Sequence, residues 1–412
     1  MKLKDKILTK NIISLFTLKG TEYIVSFITL PYLLRVLGPE YYGMIVFTQT
    51  LMNYGNLVVD YGFNLTAPRD VAQADRKDLP RQFSAILASK IGLLLLVMLV
   101  GGMAAFAASD LLNTWLLLCT LPALVGNAIF PIWYFQGIQQ MRFITIFNII
   151  ARTISVAGIF LFVKEAGDYC MAAFLQSVVP LLAGGISLGM LLASSRRIFV
   201  MPSAGMIRDK LKDGWDIFLS TVFINLYTNS NIFILRIMTN DTCVGYFAAA
   251  SKLIEAVKGL LMPISNAIFP HIAVLVKESH EKAVAFICKT VRVIGAIGLV
   301  LSLGVLIFAE PLVGLVMGEA YGDSIRMLQI ISFLPFIIGL SNVFGIQTMV
   351  TFGMQKLFSR ILMASALLNF VLVIPFIYLW EGIGLAIGVT CVESFVTVTM
   401  YVMLRRHDIA IH

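Results

Sequence analysis

Twelve charged residues lie inside stretches of this chain that are otherwise apolar enough to cross a membrane. The bases are Lys19, Arg35, Lys90, Arg152, Arg236, Lys252 and Lys258, and the acids are Glu22, Asp60, Asp216, Glu255 and Glu393. A charge facing lipid is costly, so such residues face a bundle interior or a water-filled cavity. Seven bases against five acids suit a polar path for an anion. Lysine can meet a phosphate or a carboxylate as a point charge, with a nearby acid holding it until that group arrives. Lys19 and Glu22 are three residues apart, as are Lys252 and Glu255, and Glu255 and Lys258. Each pair also reads as an intrahelical ion pair that eases insertion. Arg35 and Arg236 lie near the outer ends of their spans, and Lys90 and Asp216 near the inner ends, where snorkelling is the alternative. Arg152 is deeper. Glu393 is an isolated mid-span acid, either a protonation site or a neutral, hydrogen-bonded carboxyl.

The elements that carry these residues follow from composition. The 412 residues are 59% hydrophobic and 13% charged, against about 25% charged in soluble domains. Runs of about 20 apolar residues span a bilayer. Twelve are expected: spans 1 to 12 at 12–37, 43–66, 82–108, 112–137, 143–164, 168–194, 213–239, 245–275, 285–308, 325–351, 358–379 and 382–404. The first run is long for a secretory segment and lacks a clear cleavage site, so it reads as a retained span. Of the 31 Lys and Arg residues, 22 fall at the termini and in alternate loops, while the opposite loops hold only Lys164 and Arg326. The positive-inside rule then puts both termini in the cytoplasm. The net charge of +8 is explained by these loops and is no sign of nucleic-acid binding.

The chain reads as one fold written twice, with an N-terminal six-helix lobe at 1–194, a cytoplasmic linker at 195–212 and a C-terminal six-helix lobe at 213–412. A shift of 202 places Gly43 on Gly245, Pro68 on Pro270, and Lys19, Ser26 and Thr29 on Thr221, Thr228 and Asn231. A shift of 216 places Gly137 and Gln139, between spans 4 and 5, on Gly353 and Gln355, between spans 10 and 11. Six spans per repeat give both halves one orientation, with the path between them. Helical spacing draws a polar stripe on each of four spans. Span 1 has Lys19, Glu22, Ser26 and Thr29. Span 2 has Gln49, Asn53, Asn56 and Asp60. Span 7 has Thr221, Asn225, Thr228 and Asn231. Span 8 has Ser251, Glu255, Lys258 and Met262, with Lys252 off that stripe. Four converging stripes would make a wet central cavity, although single Asn and Thr residues also join helices by hydrogen bonds. Substrate contacts are expected from Lys19, Glu22, Asn53, Asn56, Asp60, Arg152, Asn225, Lys252, Glu255 and Lys258, and ion coupling from Asp60, Glu255 or Glu393.

The cysteines at 119, 170, 243, 288 and 391 have no metal spacing, and a disulfide between Cys170 and Cys243, both near the outer face, is open. Pro31, Pro131, Pro263 and Pro335 can bend their spans. Residues 309–324 read as an interfacial stretch. No phosphate-binding Gly-rich motif ending in Gly-Lys-Ser/Thr is present, so neither ATP hydrolysis, a cofactor nor a metal is expected, and no enzyme activity.

Several short motifs resemble a family. They are Leu37-Gly38-Pro39-Glu40-Tyr41-Tyr42-Gly43, Asp60-Tyr61-Gly62-Phe63-Asn64, Ala67-Pro68-Arg69-Asp70-Val71-Ala72, Trp133-Tyr134-Phe135-Gln136-Gly137, Gly245-Tyr246-Phe247-Ala248-Ala249-Ala250-Ser251-Lys252 and Gly318-Glu319-Ala320-Tyr321. The chain resembles the lipid-linked oligosaccharide (Wzx-type) flippases of the multidrug/oligosaccharidyl-lipid/polysaccharide exporter superfamily. The resemblance implies an all-α polytopic membrane protein of the MATE-like kind. It has twelve transmembrane helices in two pseudo-symmetric six-helix bundles and a central basic cavity. It further implies an undecaprenyl-diphosphate-linked oligosaccharide carried from the cytoplasmic to the periplasmic leaflet of the bacterial inner membrane for O-antigen and lipopolysaccharide synthesis. Membrane lipid is an implied partner, with the polysaccharide polymerase and chain-length regulator as further candidates. The glycan itself is not implied, because cargo varies while the scaffold persists. Two other readings stand beside this one. A drug/cation antiporter of the same superfamily would favour acids in the cavity. A membrane-embedded polymerase would carry a large outer loop, whereas the outer loops here are short.

Overall fold

The computed structural model describes residues 2–75, 77–107, 112–194, 199–407 and 409. The side chains of Lys19, Glu22, Ser26 and Thr228 are outside the described ones. All regular elements are helical among the described residues. They are α1 (Lys2–Asp60), α2 (Phe63–Gln73), α3 (Leu79–Ala107), α4 (Thr114–Ile129), α5 (Ile132–Gly137), α6 (Met141–Phe162), α7 (Tyr169–Ser194), α8 (Ala204–Met238), α9 (Asp241–Gly259), α10 (Met262–Glu278), α11 (His280–Ile307), α12 (Ala309–Val316), α13 (Ser324–Ile331), α14 (Leu334–Asn342), a π-helix at Val343–Val350, and α15 (Gln355–Arg406).

Seven stretches among the described residues are long and apolar enough to cross a membrane: Leu79–Ala107, Thr114–Gly137, Met141–Phe162, Ala166–Ala193, His280–Ile307, Ser324–Val350 and Gln355–Arg406. The last bends at Trp380 and Glu381, so its 52 residues accommodate spans 11 and 12. The expected spans 1, 2, 7 and 8 stand outside this set. They lie in α1, which breaks at Gly38 (φ 71°), and in α8, α9 and α10, and they are the four that carry the polar stripes. Large apolar side chains such as Leu99, Phe106, Leu161, Leu315, Leu367 and Val371 are exposed. On a soluble protein so wide an apolar exterior would aggregate; in a bilayer it meets lipid. The chain is a multi-pass, all-α membrane protein.

The chain forms two compact units. One is Met1–Leu37 with Ile45–Ser230, the other Gly38–Met44 with Asn231–His412. In the first, α2 and α5 pack together over Phe63, Ala67, Val71, Phe83, Trp133 and Phe135. A Cβ on Gly137 would sit 2.5 Å from Val71, so the Ala-Pro-Arg-Asp-Val and Trp-Tyr-Phe-Gln-Gly motifs are the two sides of one joint. The N-terminal part of α8 and the segment before it belong to this unit as well. Lys210 pairs with Asp70 at 2.6 Å, the Val200 amide donates to Ser84 Oγ at 2.9 Å, and Phe218 stacks on Tyr61 with centroids 4.6 Å apart.

The second unit explains why Gly38–Met44 leaves its own neighbours. A Cβ on Gly43 would lie 1.8 Å from the Asp241 carbonyl oxygen, and one on Gly245 1.9 Å from that of Pro39. Since 39 + 202 = 241 and 43 + 202 = 245, the contact is reciprocal, as across a two-fold axis. The two repeat-related glycines are therefore where equivalent backbones touch. Tyr42, Tyr246 and Tyr321 gather beside them, Tyr246 and Tyr321 meeting edge to face at 6.1 Å. Burial, with Tyr42 and Tyr246 alongside, pushes the Tyr321 phenol up and keeps it neutral.

The second repeat register is corrected by the fold. The Gln140 amide bonds to Phe135 O and the Gln139 amide to Gln136 O; the Met354 amide bonds to Met349 O and the Gly353 amide to Val350 O. Both are Schellman ends with the residue after the helix at positive φ, Gln139 (58°) and Gly353 (79°). The equivalent shift is 214, not 216. Matching Gly137 to Gly353 aligned residue types, whereas the left-handed position falls on Gln139.

Of the four prolines, Pro131 breaks span 4 between α4 and α5, while Pro263 and Pro335 open α10 and α14. Pro31 lies within α1, and the break there is at Gly38. Residues 309–324 form α12 and a short turn. Cys170 and Cys243 form no disulfide with each other.

The reciprocal contact makes a direct prediction. Gly43→Ala and Gly245→Ala should each destabilise the detergent-solubilised protein by about 1–3 kcal/mol, the usual cost of overpacking. Gly101→Ala, inside α3 with nothing within 4 Å, should hold or slightly raise the melting temperature.

Candidate functional site

Span 2 delivers the densest polar site. Its helix ends at Asp60, because Tyr61 (φ 45°) and Gly62 (φ 79°) turn left-handed before α2 begins. Glycine accommodates that conformation freely, and it also lets α8 close in, since a Cβ on Gly62 would lie 2.8 Å from Ile217. The break holds Asp60 beside α3. Lys90 donates to Asp60 Oδ1 at 3.0 Å and to the Asn127 carbonyl oxygen at 2.9 Å, and the Asn64 amide donates to Asp60 Oδ2 at 3.2 Å.

The Asn127 carbonyl is open for a sequence reason. Its helical partner would be the amide four residues on, which is Pro131 and has no N–H. Lys90 satisfies the carbonyl that the proline frees, an intramembrane repair of the kind such breaks need. Lys90 is 2% exposed and Asp60 30%. Snorkelling at the inner end of span 3 is therefore ruled out for Lys90, which is a buried ion-pair residue. The sequence left the interior and snorkelling readings of Lys90 both open and did not identify its partners; the signal available was Pro131, which announces a spare carbonyl.

One turn before Asp60, Asn56 is half-buried and its Oδ1 has no hydrogen-bond partner. Asn53 is exposed. Gln49 donates to Gln176 at 3.2 Å. Arg152 is half-buried on α6. Asn225 donates to the Thr221 carbonyl one turn back. Lys19 and Glu22 lie on α1, and their side chains fall outside the described ones.

The second unit carries the other stripe. Lys252 and Glu255 form an intrahelical pair at 2.9 Å, with both side chains about half exposed. Such exposed pairs contribute little stability. Lys258, one turn on, is half-buried and has no ion-pair partner among the described residues. Arg236 pairs with Asp241 across the α8–α9 turn. Asn369, 1% exposed, donates to Asn231 at 2.9 Å. Glu393 is half-buried on α15. Among the described residues no group of three metal-ligand side chains occurs.

Sequence comparison gives this arrangement its context. Residues 8–276 match the family described as polysaccharide biosynthesis protein. The chain belongs to that family. Two relatives each carry the name "Putative O-antigen transporter". One, from Escherichia coli (strain K12), is 37% identical over 98% of both chains. The other, from Shigella dysenteriae, is 28% identical over 95% of this chain and 98% of its own. The fold of this polysaccharide biosynthesis family member is similar to the lipid II flippase MurJ in an inward closed conformation, with a TM-score of 0.78 at 11% identity over 97% of this chain and 89% of that one. It is also similar to an inward-facing multidrug resistance MATE family transporter of the MOP superfamily, with a TM-score of 0.68 at 13% identity over 93% and 98% of the two chains.

The Lys90 site can be tested by stability. Lys90→Met should destabilise the protein by about 3 kcal/mol, because it strands Asp60 and an open carbonyl. Adding Asp60→Asn should recover part of that loss in thermal unfolding. A Lys90→Met protein that melts like wild type would show the pair to be dispensable.

Proposed function

We propose that this protein is a transporter, not an enzyme, and that it flips a polyprenyl-diphosphate-linked oligosaccharide from the cytoplasmic to the periplasmic leaflet. The observation that carries the reading is full-length identity to a relative named as an O-antigen transporter, on a fold that a lipid II flippase shares. In this reading the lobes are 1–194 and 213–412, joined by the 195–212 linker, and both termini lie in the cytoplasm of a bacterium's inner membrane. The lobes rock about the lipid's head group by alternating access, coupled to an ion, while the lipid tail stays in the bilayer.

Lys19 and Lys258 fit the diphosphate contact because they sit on polar faces of the first helix of one repeat and the second of the other. Glu22, Asn53, Asn56, Asp60, Arg152, Asn225, Lys252 and Glu255 complete the lining. Ion coupling falls to Asp60, Glu255 or Glu393. Asp60 and Glu255 are each held by a lysine, so proton or cation binding there would compete with that lysine. A polymerase and a chain-length regulator are the partners that would consume and measure the product. A drug/cation antiporter would need acids in excess along the path, and the bases are more numerous here.

Deleting the gene should abolish surface polysaccharide and leave lipid-linked repeat units on the inner leaflet. Unchanged surface glycan with altered drug sensitivity would instead support the antiporter. Lys258→Gln should cut export about tenfold or more at normal protein levels, and Lys258→Arg should retain most of it. Surface glycan quantified against membrane-inserted protein is the readout.

A further inference from the structure

Span 10 contains a feature that transport chemistry alone does not call for. Its inner half is a π-helix, Val343–Val350, an uncommon winding found mostly at functional sites. The wide turn is visible in Thr348, whose hydroxyl donates to the Val343 carbonyl five residues back at 2.7 Å. The winding turns Gln347 towards α10, where its amide nitrogen donates to the Ser265 carbonyl at 3.3 Å. Gln347 is 1% exposed, and its Oε1 has no partner. A buried acceptor left unmet is destabilising, so this oxygen can take a donor.

Gln347 lines a recess of about 200 Å³ together with Ser265, Phe269, Asn342 and Ile346. Ile346 is 44% exposed, so the recess opens outward from the unit's packing. Phe269 lies seven residues beyond Met262 on the same face of α10, and Ser265 one turn before Phe269. The lining has two amides, a hydroxyl and an aromatic ring, and no charge. A diphosphate would find no cation here. A ring bearing hydroxyls would find an acceptor in Gln347, adaptable partners in Ser265 and Asn342, and an apolar face in Phe269.

We propose that this recess is a subsite for one sugar ring of the carried oligosaccharide, with Gln347 Oε1 accepting a sugar hydroxyl. The inference rests on the flippase reading and deepens it, because the amide recess reads the sugar while the lysines read the diphosphate. The test uses the full-length protein in nanodiscs and two probes. One is the polyprenyl-diphosphate-linked oligosaccharide extracted from a strain lacking this gene, and the other is bare polyprenyl diphosphate. Wild type should bind the sugar-bearing probe about tenfold more tightly, roughly 1.4 kcal/mol. Gln347→Leu should bring that ratio to about one without changing affinity for the bare lipid. Asn342→Leu, at the more open edge, should lower the ratio in the same direction and guards against misfolding of the buried variant. Lys258→Gln should weaken both probes alike and preserve the ratio. Retention of the full ratio in both recess variants would overturn the subsite and leave a water pocket. Equal loss of both probes in Gln347→Leu would also overturn it, as a packing effect. A wild type that binds both probes equally would overturn the subsite while the flippase reading stands. A wild type that binds neither would overturn both.

Discussion

A bilayer offers no water to a stray charge or an open peptide group, and the arrangement of this molecule follows from that shortage. Pro131 takes one amide out of span 4 and frees the Asn127 carbonyl. Lys90 covers that carbonyl and needs a counter-charge, which Asp60 supplies. Asp60 is in position because span 2 stops there, at the left-handed pair Tyr61 and Gly62. One proline thus ties a lysine on α3 to an acid at the end of α1, two helices other than its own. The same break admits the N-terminal part of α8 against Tyr61, and the first compact unit extends along α8 to Ser230.

The internal repeat supplies the second organising relation. Gly43 and Gly245 lack side chains because each meets the other's equivalent backbone. Their surroundings hold three of the motifs that carry the family resemblance. The remaining motifs form the joint between α2 and α5. The residues that identify the family are thus mostly places where the scaffold touches itself.

This division explains what the sequence revealed. The seven strongly apolar stretches were legible because runs of about twenty apolar residues have few other uses. The 202-residue register was legible from two glycines under steric demand. The 216-residue register misled because it matched residue types, while the fold repeats a backbone shape that Gln139 adopts at a positive φ. Lys90 stayed open between an interior and a snorkelling reading because its partners come from 30 and 37 residues away, and end-of-span position is a weak guide to burial. Gln347 gave no signal at all. Its importance comes from a π-helical winding that no spacing rule registers.

The diphosphate reading places charge recognition on Lys19 and Lys258, and its central claim is that this chain alone moves lipid-linked oligosaccharide between leaflets. The most direct measurement reconstitutes the purified protein into lipid vesicles with the oligosaccharide-lipid in both leaflets. A lectin added outside after the outer pool is cleaved then follows the sugar's reappearance. The account predicts reappearance well above the protein-free rate with wild type and near that rate with Lys258→Gln. Reappearance at the protein-free rate with correctly folded wild type, with or without an ion gradient, would contradict it.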